Sequence, residues 1–311
     1  MALMTSADVL KVNNSEELVG VINDVVKEIP ELQFFQASPV ARTKYKTLAV
    51  STLPTVGFRD PEGLRTFDSV GLTNRETECK YLDASWTMPV AVAQQCDWGE
   101  DFAKALETKA HLKSAFFELS KQIWTGTSSD ANGFVGLDAL IAAVDSGAMI
   151  ISANDSCSDA SSVYAVRTGV DSAQLAWGSN GQFDEGDVLE QMLYTQETEG
   201  SGSGATTVTK GAWHYAQKLG GWVGLQVTSK YAAAKIEKLS ATNGKVGLDD
   251  DLLYQLIEKF PAGMAPNGIF MSRRSFSQLR QSRTTYSPVG APAPYPKDFE
   301  GIPIYITDAI A

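Results

Sequence analysis

The feature that most narrows what this chain can become is a pair of β-prone stretches around a polar middle. KTLAVSTLPTVGF (residues 46–58) and ETECKYLDASWTMPVAV (76–92) flank RDPEGLRTFDSVGLTNR (59–75). The middle is rich in charge and, with Gly57 just before it, in glycine (Gly63, Gly71), and shows almost no apolar face of its own. Twelve residues in strand conformation reach roughly 40 Å at about 3.3 Å each. A lone two-stranded ribbon of that size is marginal in water. Such a ribbon is expected either to fold back on its own domain or to be stabilised by a neighbouring chain.

The strongest periodicity follows directly. DWGEDFAKALETKAHLKSAFFELSKQIW (97–124) carries Phe102, Leu106, Ala110, Leu112, Phe116, Leu119 and Ile123 at helical spacing. Asp97 with Glu100 reads as a capping box, and Gly126 stands just past the end. About 27 residues make a rod of roughly 40 Å. Glu100–Lys104 and Glu118–Lys121 add modest support on its surface.

Earlier in the chain, NSEELVGVINDVVKEI (14–29) predicts an amphipathic helix with Leu18, Val21, Ile22, Val25, Val26 and Ile29 in one stripe. Asn14 and Glu17 suit its cap, and Pro30 stops it. The segment from there to Thr43 has no clear period and reads as an extended arm. After the rod, WTGTSSDANGFVGLDALI (124–141) has the look of a calcium loop. Placing Gly133 at the sixth position puts Ser128 first and Ala139 twelfth, so the first ligand and the bidentate carboxylate are missing. It is a turn, followed by a short helix in GLDALIAAVDSG and a strand in AMIISA.

SVYAVRTG and AQLAWGSNGQF read as strands, and residues 186–228 as β-rich with a flexible tip at EGSGSGA (199–205). SKYAAAKIEKL, DDDLLYQLIEKF and RRSFSQLRQSR read as helices, NGIFMS and GIPIYITDAI as strands, the last after the proline-rich YSPVGAPAPYP.

The 43% hydrophobic and 20% charged content belongs to an ordinary folded protein, with no apolar run long enough to span a bilayer. A formal net charge of -11 disfavours a nucleic-acid binder. Cys79, Cys96 and Cys157 are unpatterned and fit buried thiols in a reducing cytoplasm. His111 and His214 lack partners at metal-ligand spacing. GSGSG has the wrong spacing for a dinucleotide fingerprint or a nucleophile elbow. Asp249, Asp250 and Asp251 suit a helix N-terminus. The cluster Arg273, Arg274, Arg280 and Arg283 suits an exposed helix face or a subunit contact better than nucleic acid. No constellation singles out a catalytic residue, a cofactor-binding residue or a metal ligand, so a non-enzymatic chain without cofactor is expected.

The order of these elements, together with FVGLDALI, SSVYAVRTGVDSAQLAWGSNG, NGIFMSRRSFSQLRQSR and FEGIPIYITDAI, resembles the major capsid proteins of tailed bacteriophages. The resemblance is to the branch common in short-tailed phages and implies the α+β HK-ninety-seven-type fold. It implies an N-terminal arm with a short helix (1–45), an extended loop opening the peripheral domain (46–92) and the spine helix (93–125). Residues 126–311 would form the axial domain, with strands returning to the peripheral domain.

The function implied is a shell of pentamers and hexamers around packaged double-stranded DNA, a virion capsid assembled in the host cytoplasm. Its main partner is then other copies of itself. A separate scaffolding protein (or a mature-length start, since 13 residues precede the first helix) and a portal would join it. A decoration protein stays open; DNA would be met only through weak non-specific proximity, and no membrane is involved. Contacts expected from the extended loop are Arg59, Asp60, Glu62, Arg65, Asp68, Arg75 and Glu76, with apolar overlap from Phe58 and Phe67. Two other readings compete: an encapsulin-like compartment with the same fold, and a hydrolase using paired carboxylates.

Overall fold

The computed structural model describes residues 29–64, 67–143, 147–153, 160–199, 206–240, 247–285 and 293–310. The expected helix at 14–29 (all but its last residue), Arg65, Cys157 and nearly all of the 199–205 tip lie outside the described residues, as does most of the proline-rich stretch.

In chain order the elements are α1 (Glu31–Phe34), β1 (Ala37–Pro39), β2 (Lys44–Thr52), β3 (Gly71–Glu78), β4 (Lys80–Asp83), β5 (Trp86–Pro89), α2 (Val90–Ala93) and α3 (Glu100–Thr125). There follow α4 (Leu137–Ala143), β6 (Ile150–Ser152), β7 (Ala160–Val166), β8 (Ala173–Trp177), β9 (Phe183–Glu185), β10 (Leu189–Glu199), β11 (Thr206–Gln217) and β12 (Leu219–Val227). The chain closes with β13 (Ala233–Ser240), α5 (Asp250–Glu258), β14 (Gly268–Met271), α6 (Arg273–Thr285), β15 (Asp298–Phe299) and β16 (Ile302–Ile306). Among the described residues no helix is long and apolar enough to cross a membrane.

Leu82–Glu118 and Phe183–Gly221 form one compact unit. Its sheet is β10-β11-β5, antiparallel, with Met192 opposite Trp213 and Tyr215 opposite Met88. The core gathers Ala84, Trp86, Met88, Val92, Ala93, Cys96, Ala103, Ala115 and Leu219 under Phe102 and Leu112 of α3. Its polar centre is satisfied internally. The Trp86 indole donates to Gln217 Oε1 at 2.9 Å, and so does the Thr108 hydroxyl at 2.7 Å. Tyr215 donates to Glu100 at 2.7 Å, a bond that, with some burial and the charge of Glu100, pushes its phenol up to about 12.

Lys27–Tyr81, Leu119–Gln182 and Trp222–Ala311 form the second unit. Its main sheet runs β15-β16-β14-β7-β13-β6, with β7 antiparallel to both of its neighbours. A smaller one joins β1 in parallel and β12 in antiparallel fashion to β8. The main sheet carries an aromatic nest. Trp124, fully buried in the last turn of α3, lies 5.0 Å from the Phe270 ring and 4.8 Å from that of Tyr164. Phe34 and Tyr305 close on Phe270 at 4.9 and 5.0 Å. The Trp124 indole N–H donates to the buried Glu31 carboxylate at 2.8 Å. Arg283 clasps Asp250 in a two-pronged pair at 2.7–3.0 Å, and Asp249 caps α5 by accepting from Leu252 N at 2.9 Å.

Several sequence expectations need correction. SKYAAAKIEKL is a strand, β13, not a helix. It sits between β7 and β6 with α4 and α5 packed on it, and Ala233, Ala234, Ile236, Leu239 and Ser240 are all buried. A strand covered this fully shows no alternation, and small alanines suit its crowded surroundings. Lys238 takes φ 60° at a bulge between Ile236 and Leu239. Val90–Ala93, expected in a strand, is a helical turn after Pro89. AQLAWGSNGQF stays a strand only to Trp177; Ser179 and Asn180 then turn the chain in left-handed conformations. The arm after Pro30 holds a short helix and a paired strand.

The rod starts at Glu100 rather than after a cap at Asp97, because Gly99 (φ 92°) turns the chain there and Glu100 engages Tyr215. Of its expected stripe, Ala110 is exposed, whereas Ala103, Ala115 and Trp124 are buried.

The stretch after the rod is a turn, as its residues require. Asp130 Oδ1 accepts from Asn132 N at 2.9 Å, and Gln122 donates to Phe134 O at 2.6 Å. Gly126 has φ 60°, and a Cβ there would lie 2.0 Å from Gly136 N. Gly126→Ala is therefore expected to cost about 2–4 kcal/mol. Gly57→Ala, whose Cβ meets nothing within 4 Å, is the control and should change stability by about 0.5 kcal/mol or less. Urea denaturation midpoints of the two variants against the parent check this.

Candidate assembly surface

Lys44–Thr52 and Gly71–Glu78 pair as an antiparallel ribbon, with Lys46 opposite Glu76 and Leu48 opposite Asn74, so the second strand is drawn mostly from the polar middle (59–75) and not from the stretch 76–92 expected to flank it. Its root is built into the second unit by polar contacts along β12. Arg75 donates to Val227 O at 3.4 Å and Thr77 to Leu225 O at 3.4 Å. Gln226, fully buried, accepts from the Thr77 hydroxyl and donates to Thr47 Oγ1 at 2.6 Å. Gly224 makes room for this approach: a Cβ there would stand 3.3 Å from Cys79 Cα. Cys79 is buried, donates to Ala176 O at 3.6 Å, and its thiol is pushed up by that burial. It is a structural thiol.

The shaft is held across the strands. Glu76 takes both Lys44 and Lys46 at 3.1 Å. Hydrogen bonds from Lys44 and then Lys46 hold the Glu76 carboxyl below its ordinary range. Among the described residues between Thr52 and Gly71 there is no regular helix or strand. Asp68 gathers this tip, accepting from Thr55 N and Oγ1 at 3.1 Å and from Ser69 N at 2.8 Å, and the Thr55 and Ser69 bonds lower its carboxyl. A turn follows, with Gly63 N donating to Asp60 O at 2.9 Å and Arg59 to Gly63 O at 2.6 Å.

The expected contact residues therefore divide. Arg75 and Glu76 are engaged at the root and on the shaft. Arg59, Asp60 and Asp68 shape the tip, Glu62 is exposed on it, and Arg65 falls outside the described residues. Phe58 and Phe67 stand in solvent at 109% and 86% exposure. Sequence reasoning missed their company. Leu53, Val56 and Leu64 are exposed at 80%, 89% and 98%, and Val70, Leu48, Val50 and Leu72 are also open. The tip is not poor in apolar groups; its apolar groups lack a period, so a search for alternation passes over them.

Contiguous exposed apolar surface is uncommon on a single soluble chain and typical of interaction sites. Each such side chain releases roughly 1.5–3 kcal/mol on full burial. A charged pair on the flanks offers only about 0–1 kcal/mol.

No cluster of three His, Cys, Asp or Glu side chains forms among the described residues. His111 lies 3.5 Å from Glu107, and His214 Nδ1 lies 2.9 Å from the Ala212 carbonyl.

A pH dependence follows from the two lowered carboxyls. Their native pKa lies below the unfolded value, so the stability they lend is complete above the ordinary carboxylate range of about 4. It is lost as pH falls through the lowered values. Amide exchange in 44–52 and 71–78 should rise on acidification below about pH 4, and Glu76→Gln should flatten that rise. Hydrogen exchange followed by mass spectrometry reads both.

No family model matches the sequence, and no curated protein does. The fold is similar to that of a chain in a cryo-EM structure of bacteriophage Epsilon15. The identity is 13%, over 99% of this chain and 95% of that one, at a TM-score of 0.68. The bacteriophage JBD30 capsid follows at 12% identity, 99% coverage of both chains and a TM-score of 0.48. The holo-SrpI encapsulin complex of Synechococcus elongatus PCC 7942 stands at 9%, 78% of this chain, 98% of that one and 0.45. At 13% identity the first likeness establishes architecture, and this chain has the HK-ninety-seven-type fold of the major capsid proteins of tailed bacteriophages.

Proposed function

We propose that the chain is a major capsid protein. It self-assembles through pentamers and hexamers into the icosahedral shell of a tailed phage around packaged double-stranded DNA. The observation that carries this reading is the ribbon tip, whose apolar side chains, Phe58 and Leu64 foremost, are fully exposed in the single chain. A neighbouring copy is the partner that supplies their burial, while the charged residues of the loop set direction and register. Residues 93–125 serve as the spine of the peripheral domain, and the β7–β13–β14 sheet belongs to the axial domain around the five- or six-fold centre. A scaffolding protein and a portal take part in assembly, and the net charge of -11 keeps packaged DNA off the wall.

The expressed chain should form closed shells in negative-stain microscopy. Phe58→Ser with Phe67→Ser should leave a soluble, folded subunit by circular dichroism and reduce particle yield at least about tenfold, the factor that about 1.4 kcal/mol of contact represents. Arg65→Glu should lower the yield in the same assay without loss of solubility. A parent chain that stays a monomer at high concentration, with the tip protected from exchange, would overturn the reading. Purified particles that hold a protein cargo and no genome would replace the phage shell with a compartment.

A further inference from the structure

Two helices of the second unit present outer faces of opposite charge. α5 packs on β13 and α6 on β7. They are tied together by the pair of Arg283 with Asp250, and Gln278 of α6 donates to Ser240 O at 2.7 Å. Leu253 and Leu256 of α5 are buried, as are Ser275, Phe276 and Leu279 of α6. The outer sides are open to solvent. α5 shows Asp251, Tyr254 and Glu258 there, and α6 shows Arg273, Arg274, Ser277 and Arg280.

Three of these charges stand where their own helix disfavours them. Arg273 and Arg274 begin α6, at the positive end of its dipole, and Glu258 ends α5, at the negative end. None of the three has an ion pair or a side-chain hydrogen bond among the described residues, and the same holds for Asp251. Arg280 commits its Nε to Ala293 O at 3.0 Å. Charges placed in this way gain from a partner outside the chain.

The two faces match in spacing. Asp251 and Glu258 are seven residues apart, as are Arg273 and Arg280, which is about 10 Å along either axis. Laid antiparallel, Asp251 falls opposite Arg280 and Glu258 opposite Arg273. Tyr254, 52% exposed and held edge-on to Phe299 at 4.9 Å, then falls opposite Ser277, a small residue that leaves room for a ring. The same order sets the negative end of α5 beside the positive end of α6, whereas a parallel order would set like ends together.

Resting on the shell reading, we propose that α5 of one copy lies antiparallel against α6 of the next, in a head-to-tail contact. Glu258 meets Arg273 and Arg274, Asp251 meets Arg280, and Tyr254 seats at Ser277. A contact between two different faces of one chain repeats from copy to copy and closes into a ring when the rotation allows. Each exposed pair contributes little alone, so the charges chiefly select the partner face and its direction.

Charge reversal on one face and then on both tests this. Arg273→Glu/Arg274→Glu should lower particle yield in negative-stain microscopy at least about tenfold, equivalent to about 1.4 kcal/mol of contact. Glu258→Arg alone should also lower it. The chain carrying all three substitutions should return to within about twofold of the parent. Asp251→Arg in the Arg273→Glu/Arg274→Glu chain should bring no recovery; recovery there would make the helices parallel and overturn the proposal. The reversals suit the helix dipoles, so urea midpoints should hold or rise while assembly falls. A midpoint that falls and is recovered in the triple variant would put the pairing inside one chain, which also overturns the proposal. So would a triple variant whose yield stays low. Shells of equal yield in every variant overturn this contact and leave the shell reading standing, whereas a parent chain without particles removes both.

Discussion

Much of the second unit depends on one buried donor. The Trp124 indole has no exposure, and a buried N–H left without an acceptor costs about 1–3 kcal/mol. Its acceptor is Glu31, ninety-three positions earlier in the chain. Satisfying that bond fixes α1, lets Phe34 and Phe35 close on Phe270, and sends the chain directly into β1 beside β8. From β1 only a few residues remain before the ribbon begins. The start of the ribbon is thus set by the end of the spine helix through aromatic packing rather than by anything in the ribbon itself.

The ribbon shows the opposite balance. Its root is polar and satisfied, its shaft is held by an exposed ion-pair fork, and its tip is apolar and uncovered. Surface pairs of this sort contribute little, whereas several apolar side chains buried together contribute on the order of 10 kcal/mol before the cost of association. The charged residues that drew attention in the sequence are therefore the weaker part of the surface. Leu53, Val56 and Leu64 are the stronger part.

The rod was legible because helical spacing over many turns has few alternatives, and its terminal glycine is demanded by a left-handed φ. β13 was not legible. Ala232–Ala234 followed by Ile236 and Leu239 satisfies a helical pattern as well as a buried strand, and only the neighbours β6 and β7 decide between them. The cap at Asp97 failed for a local reason, since Gly99 redirects the chain two residues later. In the candidate site, charge and glycine were readable one residue at a time. The apolar tip was not, because irregular backbone removes the period that makes such residues visible.

One irregularity in the ribbon has a mechanical meaning. The strand register slips between Val50 and Thr52, opposite Gly71, where a side chain would stand 2.2 Å from Thr52 Oγ1. A slip of this kind bends the strand and increases its twist locally. The direction in which the outer segment leaves the shaft is therefore set here, outward of the hydrogen bonds around Gln226.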